Sequence, residues 1–262
     1  MLEWMTHLNY DPIQPLLRSA NTAIVYFTRR DLLDQPVAPI EKLWSLPEVI
    51  RILKKQQPGG FWNPPTKHPD NSQKYSLVET WRQFRYLIDQ YQMDKTHPAI
   101  EQASEYLLSC QTDEGDIRGI LANQYAPYYT GAILSLLIKA GYQNDPRVER
   151  GIQWLLEMRQ ADGGWLIGSP GMQNRTWQET LALTSTWAAE PEKDFDRSKP
   201  FSAAGTGMAI RALAVHPIYQ KSSQAYQAAV LLKSKFLQRT TAPGMSIRIT
   251  GSASSPPTGG IS

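Results

Sequence analysis

The chain has 262 residues, 41% of them hydrophobic and 19% charged, a globular composition long enough to bury a substantial core. Twenty-seven Lys and Arg against 24 Asp and Glu leave a net charge of only +3, which disfavours a dedicated nucleic-acid-binding protein. The single cysteine, Cys110, excludes an internal disulfide and a multi-thiolate metal site.

No stretch approaches the ~18 consecutive apolar residues of a spanning helix, and MLEWMTHLNY at the start has neither a basic nor an apolar leader region. These features predict a soluble, unprocessed protein of a reducing compartment, the cytoplasm. In chain order, a first helix pair is expected around residues 14–33. Outer helices follow at about 47–57, 98–111, 146–160 and 217–238, alternating with inner helices at about 76–91, 128–140 and 203–215.

The outer segments share a beginning and an end. Pro47, Pro98, Pro146 and Pro217 each precede an apolar run, matching the preference for proline in a first helical turn, where its missing N–H costs nothing. Three runs, IRILKKQQPGGFW, YLLSCQTDEGDI and WLLEMRQADGGW, close alike. Each has a glutamine (Gln57, Gln111, Gln160), a glycine turn (Gly59 and Gly60, Gly115, Gly163 and Gly164) and then Phe61, Ile117 or Trp165. In the third unit Val148, Ile152, Leu155 and Leu156 form one stripe, and Glu149, Arg150, Gln153 and Glu157 lie opposite it. The inner segments YYTGAILSLLIKAG and SAAGTGMAIRALAV are apolar nearly all round, as helices walled in by neighbours must be, whereas KYSLVETWRQFRYLI is a more polar version. The expected fold class is all-α.

RGIQWLLEMRQADGGW resembles the Gln-Trp repeat of the terpenoid cyclase and protein prenyltransferase β-subunit superfamily, through Arg150, Gly151, Trp154, Leu155, Gln160, Gly163 and Trp165. The resemblance covers roughly residues 40–240. It implies an α/α toroid of alternating inner and outer helices around a central cavity, with Gln160 and Trp165 as structural ties between successive outer helices. A closed ring of this kind needs more helix pairs than the three or four read here, so an open or incomplete ring is expected, or one completed by an oligomer or partner. Residues 1–239 are expected to form one domain. The segment 240–262, with 16 Ser, Gly, Thr and Pro among 23 residues, is expected to be disordered, and a truncation or frame change would account for it.

Members that cyclise terpenes resemble one another in an Asp-x-Asp-Asp-Thr-Ala signature opening an inner helix. Here Ser202, Ala203, Ala204 and Gly205 stand in its place, followed by Thr206. Asp194 and Asp196 lie upstream in what reads as a solvated loop. The zinc site of the prenyltransferases also has no counterpart. Cys110 reads as a small buried hydrophobe, and His7, His68, His97 and His216 lack metal-ligand spacing, so neither metal nor cofactor is expected.

The turn-to-inner-helix segments should converge at one mouth of the ring. They offer His68, Lys74, Tyr75, Asp116, Arg118, Asn123, Gln124, Tyr125, Tyr128 and Tyr129 as candidate ligand-binding residues. The connection from Trp165 to Thr206 is enlarged to 41 residues, against 13 from Ile117 to Thr130. Its 176–189 stretch, with Trp177 and Leu181 on one side, reads as a lid or a plugging helix. The expected function is therefore binding of, or action on, a hydrophobic or isoprenoid-like ligand, without the acid and zinc motifs. A polysaccharide-lyase-like enzyme acting on acidic sugars through Tyr125 or Tyr128, His68 and Arg118 stays open, as does a protein-interaction scaffold. Whether the chain catalyses anything is open as well.

Overall fold

The computed structural model describes residues 8–65, 73–121, 123–168, 176, 178, 179, 182 and 196–236. Every regular element among them is a helix. Two short helices, α1 (Ile13–Leu17) and α2 (Thr22–Phe27), occupy the place of the expected first pair, and the Asn21 side chain caps α2. Outer helices α3 (Pro47–Leu53), α5 (Pro98–Ser109) and α7 (Pro146–Glu157) each take proline as first residue. They alternate with inner helices α4 (Gln73–Tyr91), α6 (Pro127–Leu137) and α8 (Ala203–Val215). The last outer helix, α9, runs Ser223–Phe236 and starts later than expected from Pro217. Pro217 leads only into a short turn, Tyr219–Lys221, and the Ser222 hydroxyl accepts from the Ala225 N–H to start the helix.

The inner helices lie side by side, with α6 between α4 and α8, and α5, α7 and α9 pack on them from outside. Helix α6 is buried from Thr130 to Leu137, which explains its all-round apolar sequence. The α7 stripe faces inward as expected, with Val148, Ile152 and Leu155 buried and Leu156 partly so. Where α6 crosses α8, a Cβ on Gly131 would sit 2.5 Å from the Ala209 Cα and 2.6 Å from the Met208 carbonyl oxygen, so the crossing requires glycine.

One turn is repeated three times with the same bonds. The Gly60, Gly115 and Gly163 N–H groups donate to the carbonyls of Gln57, Thr112 and Gln160. The N–H groups of those same three residues donate to the carbonyls of Phe61, Asp116 and Gly164. All three glycines have positive φ, from 82° to 108°. A Cβ on Gly60 would meet the Gln102 carbonyl oxygen of α5 at 2.2 Å, and one on Gly115 the Arg150 carbonyl oxygen of α7 at 2.8 Å. Each of these two turns is thus pressed against the next outer helix.

After each turn a buried inner-helix threonine closes the hairpin. Thr80, Thr130 and Thr206 accept, through Oγ1, the N–H of Trp62 (3.0 Å), Ile117 (2.9 Å) and Trp165 (2.9 Å). The indoles of Trp62 and Trp165 donate back to carbonyls ten residues earlier, Ile52 and Leu155. The equivalent of Ile117 and Trp165 is therefore Trp62 and not Phe61.

In the second unit the expected glutamine, Gln111, forms the tie between outer helices, whereas in the first and third units the tie sits one residue before the expected glutamine. Gln56 Nε2 donates to the carbonyls of Gly60 and Ala99, and Gln111 Nε2 to those of Gly115 and Arg147, spanning the turn and gripping the first turn of the next outer helix. In the third unit Arg159 takes this role, donating to the Gly163 carbonyl and to Gln227 Oε1. Gln160 aligns with Gln57 and Thr112. Its side-chain amide faces the Asp196 and Arg197 carbonyls within its own connection.

The outer-helix starts carry charge as well. Arg147 donates to both Glu105 carboxylate oxygens and to the α7 cap Asp145. Its hydrogen bonds hold both carboxyls below their ordinary values.

Two measurements test this packing. Gly131→Ala should lower the urea-unfolding free energy by about 1–3 kcal/mol through overpacking. Gly207→Ala on α8, where a Cβ meets no described residue within 4 Å, should raise it by up to about 1 kcal/mol through helix propensity. Depressed carboxyl values mean that the Arg147 cluster stabilises the fold above about pH 4 and loses that contribution as pH falls further. Thermal unfolding of Arg147→Met should accordingly lose part of its dependence on pH in that acid range.

Candidate functional site

The residues expected at the ring mouth fall into two groups. The first lies in the segment between α5 and α6. Asp116 is fully buried and accepts from the Thr112 hydroxyl and from Arg118 Nε at 2.9 Å. Arg118 also donates to the Asn123 carbonyl at 3.0 Å, and its guanidinium lies 5.4 Å from the centre of the Tyr125 ring. Tyr125, itself buried, donates to Glu114 at 2.7 Å and meets Trp154 edge-to-face. Burial pushes the Asp116 carboxyl upward, against the hydrogen bonds from Thr112 and Arg118. Burial and Glu114 also raise the Tyr125 phenol far above its ordinary value. The interlocked bonds fix this loop under α6, and Gln124 is buried with it.

The second group is aromatic and lies between two inner helices. Trp81 on α4 meets Tyr129 on α6 edge-to-face, with centroids 5.6 Å apart, and Tyr129 meets Tyr128 at 5.4 Å. All three are half-buried. The Trp81 indole nitrogen is buried and has no hydrogen-bond partner among the described residues. A Cβ on Gly119 would strike the Tyr129 ring at 2.5 Å, so the Gly119–Leu121 turn covers that tyrosine closely. Trp81 was not foreseen, although its place one residue after Thr80, as Gly131 follows Thr130, is a signal in the repeat. Tyr75 lies half-buried near the start of α4, beside Lys74 in the chain. His7, His68, Trp177 and Asp194, like most of the 176–189 stretch and all of 240–262, fall outside the described residues.

The C-terminal halves of the inner helices are joined by charge. Asp89 of α4 accepts from Lys139 just beyond α6 at 2.7 Å and pairs with Arg211 of α8 at 3.5 Å. Along α4 and α3 this end opens into a groove of about 500 Å³.

The remaining chemistry-bearing residues have structural roles. Ser202 caps α8 by accepting from the Gly205 N–H, and a Cβ on Gly205 would lie 2.4 Å from the Leu166 carbonyl oxygen. Position 205, where the cyclase pattern has an acid, therefore leaves no space for any side chain. Asp196 sits in an exposed turn and accepts from the Ser198 backbone and hydroxyl. His97 caps α5, and burial lowers its pKa, keeping Nδ1 free of a proton and able to accept from the Ala99 N–H. His216 is buried. Its Nδ1 accepts from the Ile218 N–H, so Nε2 carries the proton and donates to the Gln143 carbonyl. Cys110 is the half-buried C-cap of α5. Among the described residues no three His, Cys, Asp or Glu side chains gather as metal ligands, and no helix is long and apolar enough to cross a membrane.

Three repeated turn, threonine and tie units on an all-helical frame define a helical-hairpin repeat protein. A family model for the squalene-hopene cyclase C-terminal domain matches residues 80–190. Squalene-hopene cyclase of Schizosaccharomyces japonicus is 37% identical over 57 residues, which is 22% of this chain and 8% of that protein. The chain is thus remotely homologous to the squalene-hopene cyclase family, which supports its assignment to the terpenoid-cyclase-like superfamily.

The buried Asp116–Arg118 pair can be tested directly. Arg118→Met should cost about 3–5 kcal/mol by leaving a buried carboxylate without its cation. Asp116→Asn combined with Arg118→Met should cost less than the sum of the single changes, as measured by a double-mutant cycle in urea.

Proposed function

We propose that this chain is a terpenoid-cyclase-like repeat protein that builds an open α/α toroid from one domain, residues 1–239, and holds an isoprenoid-like ligand against its inner helices. The observation that carries this reading is the Trp81, Tyr129 and Tyr128 cluster. Half-buried rings on two adjacent inner helices give an apolar wall suited to an isoprenoid chain. The sequence carries neither the cyclase acid signature nor a zinc set, so the reading is binding, with any chemistry left to groups outside those motifs.

The register of the inner helices supports the open-ring reading. Gly207 stands one residue after Thr206, as Gly131 stands one residue after Thr130. Gly131 receives α8, whereas no described residue lies within 4 Å of a Cβ built on Gly207. Ile210, Ala214, Ala225 and Ala229 line a groove between α8 and α9 at the same end. A further hairpin, from a second subunit or a longer polypeptide, would continue the inner layer there.

The sugar-lyase alternative is weakened, because Arg118 is engaged by Asp116 and the Tyr125 hydroxyl by Glu114. Those groups serve the loop and not an open cleft.

Titration of the full chain with farnesol, a soluble isoprenoid alcohol, followed by tryptophan fluorescence and calorimetry, tests the proposal. Saturable binding is expected, weakened about tenfold or more by Trp81→Ala and much less by Trp81→Phe. Tyr10→Ala, at an exposed ring elsewhere, should leave the affinity unchanged. Absence of saturable binding, or equal binding by Trp81→Ala, would overturn the ligand assignment.

A further inference from the structure

The groove along the C-terminal half of α4 adjoins the aromatic wall but has a different chemistry. Its about 500 Å³ lies within the size range of small-molecule sites. Four guanidinium groups line it: Arg51 from α3, Arg82 and Arg85 from α4, and Arg211 from α8. Only two carboxylates, Glu48 and Asp89, line it with them.

The charges do not cancel within the protein. Asp89 is shared between Lys139 and Arg211. Arg82 is paired with Glu79 at 2.6 Å. Glu48 accepts a long hydrogen bond, 3.4 Å, from the Tyr91 hydroxyl. Arg51 and Arg85 form no ion pair among the described residues, and the Arg85 guanidinium instead lies over the Trp81 ring at 5.5 Å. Counting the pairing groups Glu79 and Lys139, five cations face three anions, a local surplus of two positive charges.

Clustered guanidiniums raise the local potential, and each presents a planar fork that matches a carboxylate or phosphate oxygen pair. Stacking on Trp81 preorients Arg85, lowering the entropy lost when it engages an anion. The side chains come from three helices, two of them inner, so the groove is set by the packing of the layer and not by one loop.

We propose that this groove is a binding site for a small polyanion bearing at least two phosphate or carboxylate groups. Arg51 and Arg85 supply the uncompensated charge, and Arg82 and Arg211 flank them. Its recognition groups are ionic, and it meets the aromatic wall through Arg85 stacked on Trp81.

Calorimetric titration of the full chain with citrate and with inorganic pyrophosphate, each compared with sodium chloride at equal ionic strength, tests it. Saturable one-to-one binding of at least one polyanion is expected, and the preferred one identifies the acid group. The Arg51→Gln/Arg85→Gln double variant should bind at least tenfold more weakly, and Lys233→Gln on α9 should bind as the unaltered chain does. Arg51→Gln alone, on the outer helix and away from the Trp81 stack, should weaken binding at least threefold with an unchanged far-ultraviolet circular dichroism spectrum. Heats indistinguishable from sodium chloride, or unchanged affinity in a folded Arg51→Gln variant, would overturn the proposal.

Discussion

A buried hydroxyl group in the N-terminal half of each inner helix is the interaction on which the architecture rests. Thr80, Thr130 and Thr206 are all fully buried and take the N–H that the preceding turn leaves without a partner. A turn that passes beneath a helix has to satisfy its backbone groups away from water, and an unpaired buried N–H costs about 1–3 kcal/mol. Threonine fits because its hydroxyl accepts from the turn while its methyl packs in the core. Once that bond is made, the entry of the chain into the inner helix is set, and so is the side on which the next hairpin lies.

The glycine turn and the tie then convert a series of hairpins into a layered array. A positive φ places the turn backbone against the next outer helix, close enough at Gly60 and Gly115 to exclude any Cβ. The amide of Gln56 or Gln111 reaches over that contact and bonds two carbonyls at once, one on each side of the joint. Its acceptors are backbone atoms, so the joint tolerates wide sequence change in the receiving helix. This accounts for a repeat that keeps its geometry while Ile117 stands where Trp62 and Trp165 stand.

Much of this was legible in the sequence, and the parts that were not have physical reasons. Proline starts and one-sided stripes located α3, α5 and α7, and the nearly uniform apolarity of residues 128–140 marked α6 as a walled-in helix. The register of the ties was misread because two adjacent residues compete for it: Gln56 beside Gln57, and Arg159 beside Gln160. Thr130 and Thr206 serve in the sequence only as landmarks, and the bonding role of the three threonines is hidden because their distances from the turn, 18, 13 and 41 residues, follow no period. At the site, Asp116, Arg118 and Tyr125 lie close in the chain, but that proximity carries no information on whether they face a cavity or each other. The arginine groove draws on α3, α4 and α8. Its one sequence trace is the polar row Arg82, Arg85 and Asp89 on the helix recognised as the more polar inner copy.

The third joint differs from the other two in what it grips. Gln56 and Gln111 hold main-chain oxygens, whereas Arg159 holds the Gln227 side chain. The tie to α9 is therefore made between two replaceable side chains, while Ala225 and Ala228 in the core hold the helix itself. A substitution at Gln227 removes that tie and leaves the packing of α9 on α8 to carry the joint.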